Sequence, residues 1–507
     1  MYAFALVLSL ICWVSVTFYF LHSGNFSVFH PLTYYTAFHG LVFVIRPIFG
    51  YFLEYRIVYY AYQFVPSASD KLIVIFASNL GFLVFSAACL FRGNIPMVFK
   101  QTQLIVAERN RLLPAYLWTM VVCAPLGAYS LYLSFKSAGE GTRDLATAVD
   151  KGTGVIVNTD SNGYLFESQL MVASAAALFA WLFRFRPLSL MPLATFIILR
   201  SGTGGRGPFV QASVTLLLLW LYEHRRKLPS PAVMLAVVAI IPLFNLVGAD
   251  RGRAIRQLLG SDNTVQESTS HIDKTDAFLE DMDLGNMEMF ELLVYAIPQR
   301  THTYSYFLDN LQVFTEPIPR MWWKGKPAGP PFNHIFLMDY SSPVGMTRSL
   351  PGEGWYCLGW AGVIIMCGAW GLALGWIYRR YVEGPQGTIQ TAFYMVFVPI
   401  LIVAYRDGLI LTVFRQGLFF FAPILIWYTF SRYLGIPSAQ EEQRLLSFQR
   451  ARQIRRQHAI AGPAQAVDND QPEAGIEMPQ PARRRAQAAS YLPPAAARRR
   501  AILQGDQ

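Results

Sequence analysis

The sequence predicts an all-α protein that crosses a membrane many times. Of its 507 residues, 53% are hydrophobic and only 15% are charged, whereas soluble globular chains carry about a quarter charged residues. Long apolar runs contain no charged residue at all, as in 72–90, 113–133, 210–222 and 232–247. Runs that approach about twenty apolar residues are typical of transmembrane helices, and we place about eleven along the chain.

The distribution of basic residues predicts which connectors face the cytosol. The predicted spans are approximately 2–21, 31–50, 71–91, 113–134, 168–183, 187–200, 207–223, 231–249, 355–378, 388–404 and 409–432. Lys and Arg concentrate in the connectors at 92–111, 183–186, 223–227 and 378–381. Because such residues accumulate in cytosolic loops, the N-terminus is expected outside. The net charge of +10 then reports topology and does not indicate nucleic-acid binding.

The segments between and after the spans define the predicted domains. A transmembrane domain covers 1–434 and includes external segments at about 135–167 and 250–354. The second segment is too long for a structureless connector and is expected to form a small subdomain. Residues 435–461 are expected to form an amphipathic cytosolic helix. The tail at 462–507 is rich in Ala, Pro, Gln and Arg and predicts a disordered basic segment.

A glycine-rich stretch, "RSGTGGRGPFVQ" at 200–211, matches G-x-G-x-x-G. A dinucleotide site needs a strand before these glycines, but apolar spans flank them on both sides. The preceding span, 187–199, is only about 20 Å long as a helix. We therefore expect the break to lie within the membrane, with Arg200 and Arg206 beside an outward-facing cavity. Misplaced boundaries, with both arginines reaching to the interface, are the alternative.

Further arginines and lysines would also lie on the outer side, where orientation does not require them. They include Arg320, Lys324, Lys326, Arg348, Arg406 and Arg415. Arg415 would be about 13 Å deeper than Arg406 if one helix contained both. Arginine inside a span is a functional candidate, and its guanidinium fork matches phosphate. We expect these groups to hold a lipid-linked pyrophosphate without a metal. No H-E-x-x-H is found, and the external D-x-D of Asp281 and Asp283 is more typical of an acidic helix start.

Aromatic residues and one carboxylate complete the candidate site. Tyr304, Trp322 and Trp323 are predicted to stack on sugar faces, although an interfacial aromatic belt would also explain the tryptophans. Glu353, at the start of a predicted span, is a candidate general base toward a sugar hydroxyl. It could instead be an acid favoured by a helix N-terminus. Three rival bases stay open: Asp250, His302 and Asp407.

Three stretches resemble the signature of bacterial oligosaccharide repeat-unit polymerases of the Wzy type. They are "SGTGGRGP", "IPRMWWKGKP" and "PGEGWYCLGWAGV", within an organisation that is similar over about 190–430. The resemblance implies a metal-independent, cofactor-free glycosyltransferase of the inner membrane, active in O-antigen or exopolysaccharide synthesis. Such enzymes polymerise repeat units carried on undecaprenyl pyrophosphate at the periplasmic face.

Carried over by motif, the resemblance makes Arg206, Arg320 and Glu353 catalytic and Arg415 a substrate ligand, supported by Arg200 and Arg406. The lysines and aromatic residues named above are added as substrate-binding residues by position. Membrane lipids, a flippase and a chain-length regulator are the expected partners.

Two alternatives stay open, an O-antigen-type ligase with the same donor and a flippase or transporter. A transporter needs a polar path through its spans, whereas here the charges collect at one face.

Overall fold

The computed structural model describes residues 1–101, 103–140, 147–149, 156–158, 163–201, 207–233, 279–280, 284–318, 322–323, 325–327, 329–332, 334–343 and 347–460. Helices dominate these ranges, as the apolar runs predict. One antiparallel hairpin is also present, in which β1 (Thr147–Val149) pairs with β2 (Ile156–Asn158).

The helices of the first half are α1 (Tyr2–His22), α2 (Pro31–His39), α3 (Arg46–Leu53), α4 (Ile57–Tyr62), α5 (Ala68–Gly93), α6 (Gln103–Glu140), α7 (Gly163–Glu167), α8 (Leu170–Leu182), α9 (Pro187–Ser201) and α10 (Gly207–Glu223). A π-helical turn, Gly40–Ile45, joins α2 to α3. The second half contains α11 (Asn286–Ala296), α12 (Gln312–Thr315), α13 (Leu350–Glu383), α14 (Thr388–Asp407), α15 (Ile410–Tyr433) and α16 (Ala439–Ile460).

Seven helices among the described residues are long and apolar enough to cross a membrane. They are α1, α2 with α3, α5, the first part of α6, α13, α14 and α15. The chain is therefore a multi-pass membrane protein. The apolar helix α8 and the apolar part of α9 are shorter, and most of the span predicted at 231–249 lies outside the described residues. The described residues thus contain seven of the roughly eleven predicted spans.

The basic connectors lie together at one end of the bundle, as predicted. Arg109 Nη1 lies 2.8 Å from Glu223 Oε2. Lys100 Nζ donates to the carbonyl of Glu383 at 2.7 Å. We call this the basic end. The opposite end, formed by the described residues of 54–67, 284–349 and 407–415, is called the site end.

Helix α11 lies in the predicted external segment at 250–354 but belongs to the buried core. Phe290 and Leu293 have no exposed surface and pack with α5 and α13. The expected separate subdomain is therefore not found in the described residues, since Met1–Arg444 forms one compact unit. The described part of this segment joins the main core because the apolar face of α11 is buried against spanning helices. Residues 234–278 lie outside the described part.

Helix α13 reverses direction near its start, which differs from the predicted single span at 355–378. Leu358 and Gly359 leave the helical conformation, and Gly359 has a φ of +57°. The first turns fold back on the long segment, so that a Cβ on Gly354 would lie 2.7 Å from the carbonyl oxygen of Gly362. Glycine makes both the left-handed backbone and the close approach feasible. Glu353 consequently lies in a short helix that precedes the long one.

The compact unit Met1–Arg444 extends past the predicted end at 434. Glu441 and Glu442, in the first turn of α16, form ion pairs with Arg432 and Arg111 respectively. A capping box begins α16, since Glu441 N donates to Ser438 Oγ and Ser438 N donates to Glu441 Oε2. The second unit is Leu445–Gln507, in which α16 is described up to Ile460. The tail predicted at 462–507 lies outside the described residues.

Candidate functional site

The turn between α14 and α15 organises the site end. Helix α14 ends at Asp407, Gly408 adopts a φ of +75°, and α15 begins at Ile410. Arg406 and Arg415 therefore lie on different helices. The expectation that one helix places Arg415 about 13 Å deeper than Arg406 is wrong, because the left-handed glycine ends α14 between them.

The backbone at Arg406 joins three elements. Its carbonyl accepts hydrogen bonds from Ser349 N and from Asn286 Nδ2, both at 2.9 Å. Asn286 Nδ2 also lies 2.9 Å from the carbonyl oxygen of Thr347. The end of α14, the start of α11 and the residues before α13 consequently meet at one point.

Arg415 projects from the first turns of α15 between two carboxylates. Its Nη2 lies 3.2 Å from Glu167 Oε1, and its Nη1 lies 4.0 Å from Glu316 Oε1. The side chain is 37% exposed, and Nε has no hydrogen-bonding partner among the described residues. Arg415 therefore combines a partly exposed side chain with a buried Nε that has no hydrogen-bonding partner among the described residues.

Lys326 joins the same cluster through Glu316. Its Nζ donates to the carbonyls of Glu316 and Ile318 at 2.9 and 3.2 Å and lies 3.6 Å from Glu316 Oε2. The Tyr164 hydroxyl also donates to the carbonyl of Glu316. The Lys326 side chain is only 10% exposed. In the structure, Lys326 connects its own segment to Glu316 and Ile318. Substrate binding by Lys326 stays a prediction.

Helix α10, which follows the glycine-rich stretch, begins beside α15. Gln211 Nε2 donates to Gln416 Oε1 at 3.1 Å, and Gln416 follows Arg415 in the sequence. Arg206 immediately precedes α10 but lies outside the described residues, as do Arg320 and Lys324. Arg200 lies in the last turns of α9, and its side chain is not among those described.

Glu353 belongs to a buried ionic cluster beside the α14–α15 turn. Arg348 Nη1 lies 2.9 Å from Glu353 Oε2 and 3.4 Å from Asp309 Oδ2. The guanidinium carbon of Arg348 lies 3.7 Å from the ring centroid of Tyr356. Burial opposes the charged form of Arg348, but Glu353, Tyr356 and Asp309 raise its pKa well above the ordinary value. Arg348 is consequently a permanent buried cation.

The surroundings of Glu353 limit its access to a substrate. The carboxylate has no exposed surface, and its Oε1 accepts a weak hydrogen bond from Cys357 Sγ at 3.6 Å. The preceding N-cap residue, Ser349, has a φ of +66°, a strained backbone conformation that is often found at functional sites. The base role predicted for Glu353 stays a prediction.

The predicted aromatic ligands lie in different surroundings. Tyr304 packs on the reversal of α13, where a Cβ on Gly359 would lie 2.8 Å from its Oη. Trp322 is 77% exposed, and Trp323 is half-buried. The rival base His302 lies in an exposed turn, whereas Asp250 lies outside the described residues. Tyr304 therefore has a structural contact, and sugar stacking stays a prediction for all three aromatic residues.

Three carboxylates of the site were not singled out from the sequence: Glu167, Asp309 and Glu316. Each pairs with an arginine that the sequence had placed on the outer side. Their signal was weak, because isolated acidic residues in loops are ordinarily solvated. An excess of arginine near the membrane implied partners, but only the tertiary structure identifies them.

Among the residues that the structure describes, no group of three or more His, Cys, Asp or Glu side chains is arranged to hold a metal ion. Comparison with known protein families, with curated proteins and with solved structures finds no match. The resemblance to Wzy-type polymerases therefore rests on its three short motifs, and the function has to be argued from the site.

Proposed function

We propose that the protein is a glycosyltransferase of the bacterial inner membrane that polymerises oligosaccharide repeat units carried on undecaprenyl pyrophosphate. The observation that carries this proposal is Arg415, a partly exposed arginine held by two carboxylates where α14 ends and α15 begins. The basic connectors lie at the opposite end. By the positive-inside rule the site end then faces outward, where lipid-linked repeat units are joined.

Arg415 is suited to a change of partner when the donor binds. Its contacts to Glu167 and Glu316, at 3.2 and 4.0 Å, are single and partly exposed. Exposed ion pairs of this kind contribute only about 0–1 kcal/mol. A pyrophosphate offers more charge and a geometry that matches the guanidinium fork, so it displaces the carboxylates. Arg206 and Arg320 are the further cations that the sequence predicts for this group.

The proposed reaction transfers the growing glycan to a new repeat unit. A hydroxyl oxygen of the acceptor sugar bonds to the anomeric carbon of the donor glycan. The bond from that carbon to the pyrophosphate oxygen breaks, and undecaprenyl pyrophosphate leaves with the electron pair. Because negative charge grows on the leaving oxygen, Arg415 stabilises the transition state more than the ground state.

The hydroxyl proton goes to a carboxylate, for which we propose Glu167. Its side chain is 29% exposed and lies within reach of Arg415. When the pyrophosphate takes its place beside Arg415, the Glu167 carboxylate lies next to the reacting groups and accepts the proton as the general base. In this scheme Glu353 keeps the buried Arg348 in place. Glu353 as the base, predicted from the sequence, is the alternative that the variants in the Discussion distinguish.

The test of this function is a reconstituted polymerisation. The purified protein in liposomes receives undecaprenyl-pyrophosphate-linked repeat units in the presence of a metal chelator, and the glycans are separated on a gel. A ladder of repeat-unit multiples, absent from protein-free liposomes, supports the proposal. A single shifted product that appears only after addition of a lipid A core acceptor would identify a ligase instead. No product in either assay would overturn the transferase proposal.

A further inference from the structure

A cavity opens at the site end, beside α11. It has a volume of about 570 Å³ and lies where the start of α1, one face of α3, α4, the start of α5 and α11 meet. Four tyrosines line it: Tyr2, Tyr51, Tyr55 and Tyr59. The cavity is separate from the cluster around Arg415, and the candidate site makes no use of its residues.

One buried lining group is an arginine inside a predicted span. Arg46 is 1% exposed, and its Nη2 lies 2.8 Å from Glu288 Oε1. None of its three guanidinium nitrogens forms a hydrogen bond among the described residues, and neither does Glu288 Oε2. Buried polar atoms without partners are costly and are rare in native proteins. The cavity wall therefore contains buried donors and an acceptor whose hydrogen bonds a ligand can complete.

The backbone is shaped to present Arg46 at this place. A π-helical turn directly precedes it, and the Arg46 N–H donates to the carbonyl of Leu41. Such turns are rare and occur frequently at functional sites, because they change the direction of the side chains that follow. The π-helical turn therefore sets the direction in which the Arg46 side chain leaves the backbone at the cavity wall.

The charged groups that line the cavity largely offset one another. The basic side chains are Arg46, Arg56 and Lys71, and the acidic side chains are Glu54, Glu288 and Glu291. A mixed lining of this kind does not favour a multiply charged anion such as phosphate. They match a neutral molecule whose hydroxyls both donate and accept hydrogen bonds, as a sugar does.

The aromatic lining supports the same class of ligand. Lys71 Nζ lies 4.8 Å from the ring centroid of Tyr59, whose hydroxyl donates to Glu291 Oε2 at 2.6 Å. Tyr51 is 49% exposed, and its ring centroid lies 5.9 Å from that of Tyr2. An accessible tyrosine ring offers an apolar face and a polar edge, the combination that binds the face and the hydroxyls of a pyranose.

We propose that this cavity binds a neutral sugar residue and serves as a glycan subsite of the transferase. The subsite assignment rests on the proposed function, whereas sugar binding itself does not. Helix α11 links the two places, because Asn286 contacts the backbone at Arg406 and Glu291 lies about 7.5 Å further along the helix.

The experiment is saturation-transfer NMR on the full chain in lipid nanodiscs. The probes are methyl glycosides of glucose, galactose, mannose, rhamnose, N-acetylglucosamine and N-acetylgalactosamine, each with and without inorganic phosphate. We expect at least one glycoside to bind the wild type. Binding should weaken at least tenfold in Tyr51→Ala, which removes an accessible ring. It should stay unchanged in Phe52→Ala, the matched control on the neighbouring ring, which is 74% exposed and does not line the cavity.

Glu288→Gln tests whether the buried carboxylate beside Arg46 contributes to glycoside binding. If Glu288→Gln fails to fold, the exposed-site variant Tyr51→Ala still tests the inference. No binding of any glycoside to the wild type, or binding that Tyr51→Ala leaves unchanged, would overturn the inference. Displacement of the glycoside by phosphate would mark an anion site and would overturn it as well. Sugar binding without polymerisation would refute the proposed function alone, and polymerisation without sugar binding would refute this inference alone.

Discussion

Burial divides the arginines of the site end into two kinds. Arg348 is enclosed by Glu353 and Asp309, with the ring of Tyr356 against its guanidinium. Breaking a buried pair of this kind costs roughly 3–5 kcal/mol, so Arg348 is fixed in place. Arg415 is 37% exposed and keeps an unpaired N–H. It can exchange its carboxylates for a phosphate at little cost, which is why we assign the ligand role to Arg415.

The two candidate bases should respond differently to the same change. We expect Glu167→Gln to lower kcat about 10²- to 10⁴-fold, because a proton acceptor is lost, at an unchanged Tm. Glu353→Gln should instead destabilise the fold by roughly 3 kcal/mol, because Arg348 loses a buried counter-charge. Turnover and thermal unfolding are measured on the same preparations. If Glu353→Gln abolishes turnover at wild-type Tm while Glu167→Gln stays active, Glu353 is the base.

Glu291 makes stability depend on pH. Burial raises the pKa of this carboxyl from 4.5 to about 7, with Lys71 opposing and Glu288 adding to the shift. The folded state then holds a proton that the unfolded state releases between these two values. The contribution of this proton to the free energy of unfolding is fully present below about pH 4.5. It is lost as the pH rises through about 7 and amounts to roughly 3 kcal/mol in total.

The measurement compares thermal unfolding of the wild type and Glu291→Gln in detergent between pH 5 and pH 8. The wild-type Tm should fall relative to that of the variant as the pH rises, because glutamine cannot lose a proton. Parallel curves would show that Glu291 does not titrate in this range.

At the scale of elements, the α14–α15 turn holds the site together. Gly408 has a φ of +75°, and a Cβ there would lie 2.4 Å from the carbonyl oxygen of Ser349 and 2.8 Å from Glu353 Cβ. The turn is therefore in contact with the first turn of α13, which carries the buried cluster. A change at Gly408 should therefore affect both the buried cluster around Arg348 and the cluster around Arg415.

We expect Gly408→Ala to destabilise the protein by roughly 3 kcal/mol, since left-handed strain adds to overpacking. Gly435→Ala is the matched control, because Gly435 has a φ of +66° but nothing within 4 Å of the added Cβ. It should incur the strain alone, about 1 kcal/mol. Thermal unfolding measures both variants. Equal losses in the two would show that the contact with α13 is unimportant.

The elements differ in how well the sequence predicts them. Long apolar runs identify the spans, since burial in lipid requires composition more than pattern. The reversal within α13 is hidden, because "PGEGWYCLGW" is apolar on both sides of it and only Gly359 indicates a turn. Helix α11 is hidden because its eleven residues lie in a polar segment. Arg46 was missed although an arginine in an apolar run is itself a functional signal.

At the scale of the whole molecule, the basic connectors and the candidate sites lie at opposite ends of the helices. The basic connectors contact one another at one end, as the pairs Arg109–Glu223 and Lys100–Glu383 show. The ionic cluster, the α14–α15 turn and the tyrosine-lined cavity lie at the other. An orientation with the basic end in the cytosol places both candidate sites outside.

Cysteine labelling tests this orientation. Ser69 is exposed at the start of α5, and His224 is exposed at the basic end. In spheroplasts, a membrane-impermeant maleimide should label Ser69→Cys directly and His224→Cys only after permeabilisation. The wild type is the control, because four of its five cysteines are buried and Cys12 is half-buried. The reverse pattern would place the site end in the cytosol and contradict periplasmic transfer.

The most direct test of the account is the rate of polymerisation by Arg415→Met in the reconstituted system. The matched control is Arg432→Met, which removes a 52% exposed arginine from the basic end. We predict that Arg415→Met lowers kcat about 10²- to 10³-fold, as expected when a donor to the developing charge is lost, and that Arg432→Met keeps the wild-type rate. A correctly inserted Arg415→Met protein that builds the ladder at the wild-type rate would contradict the account.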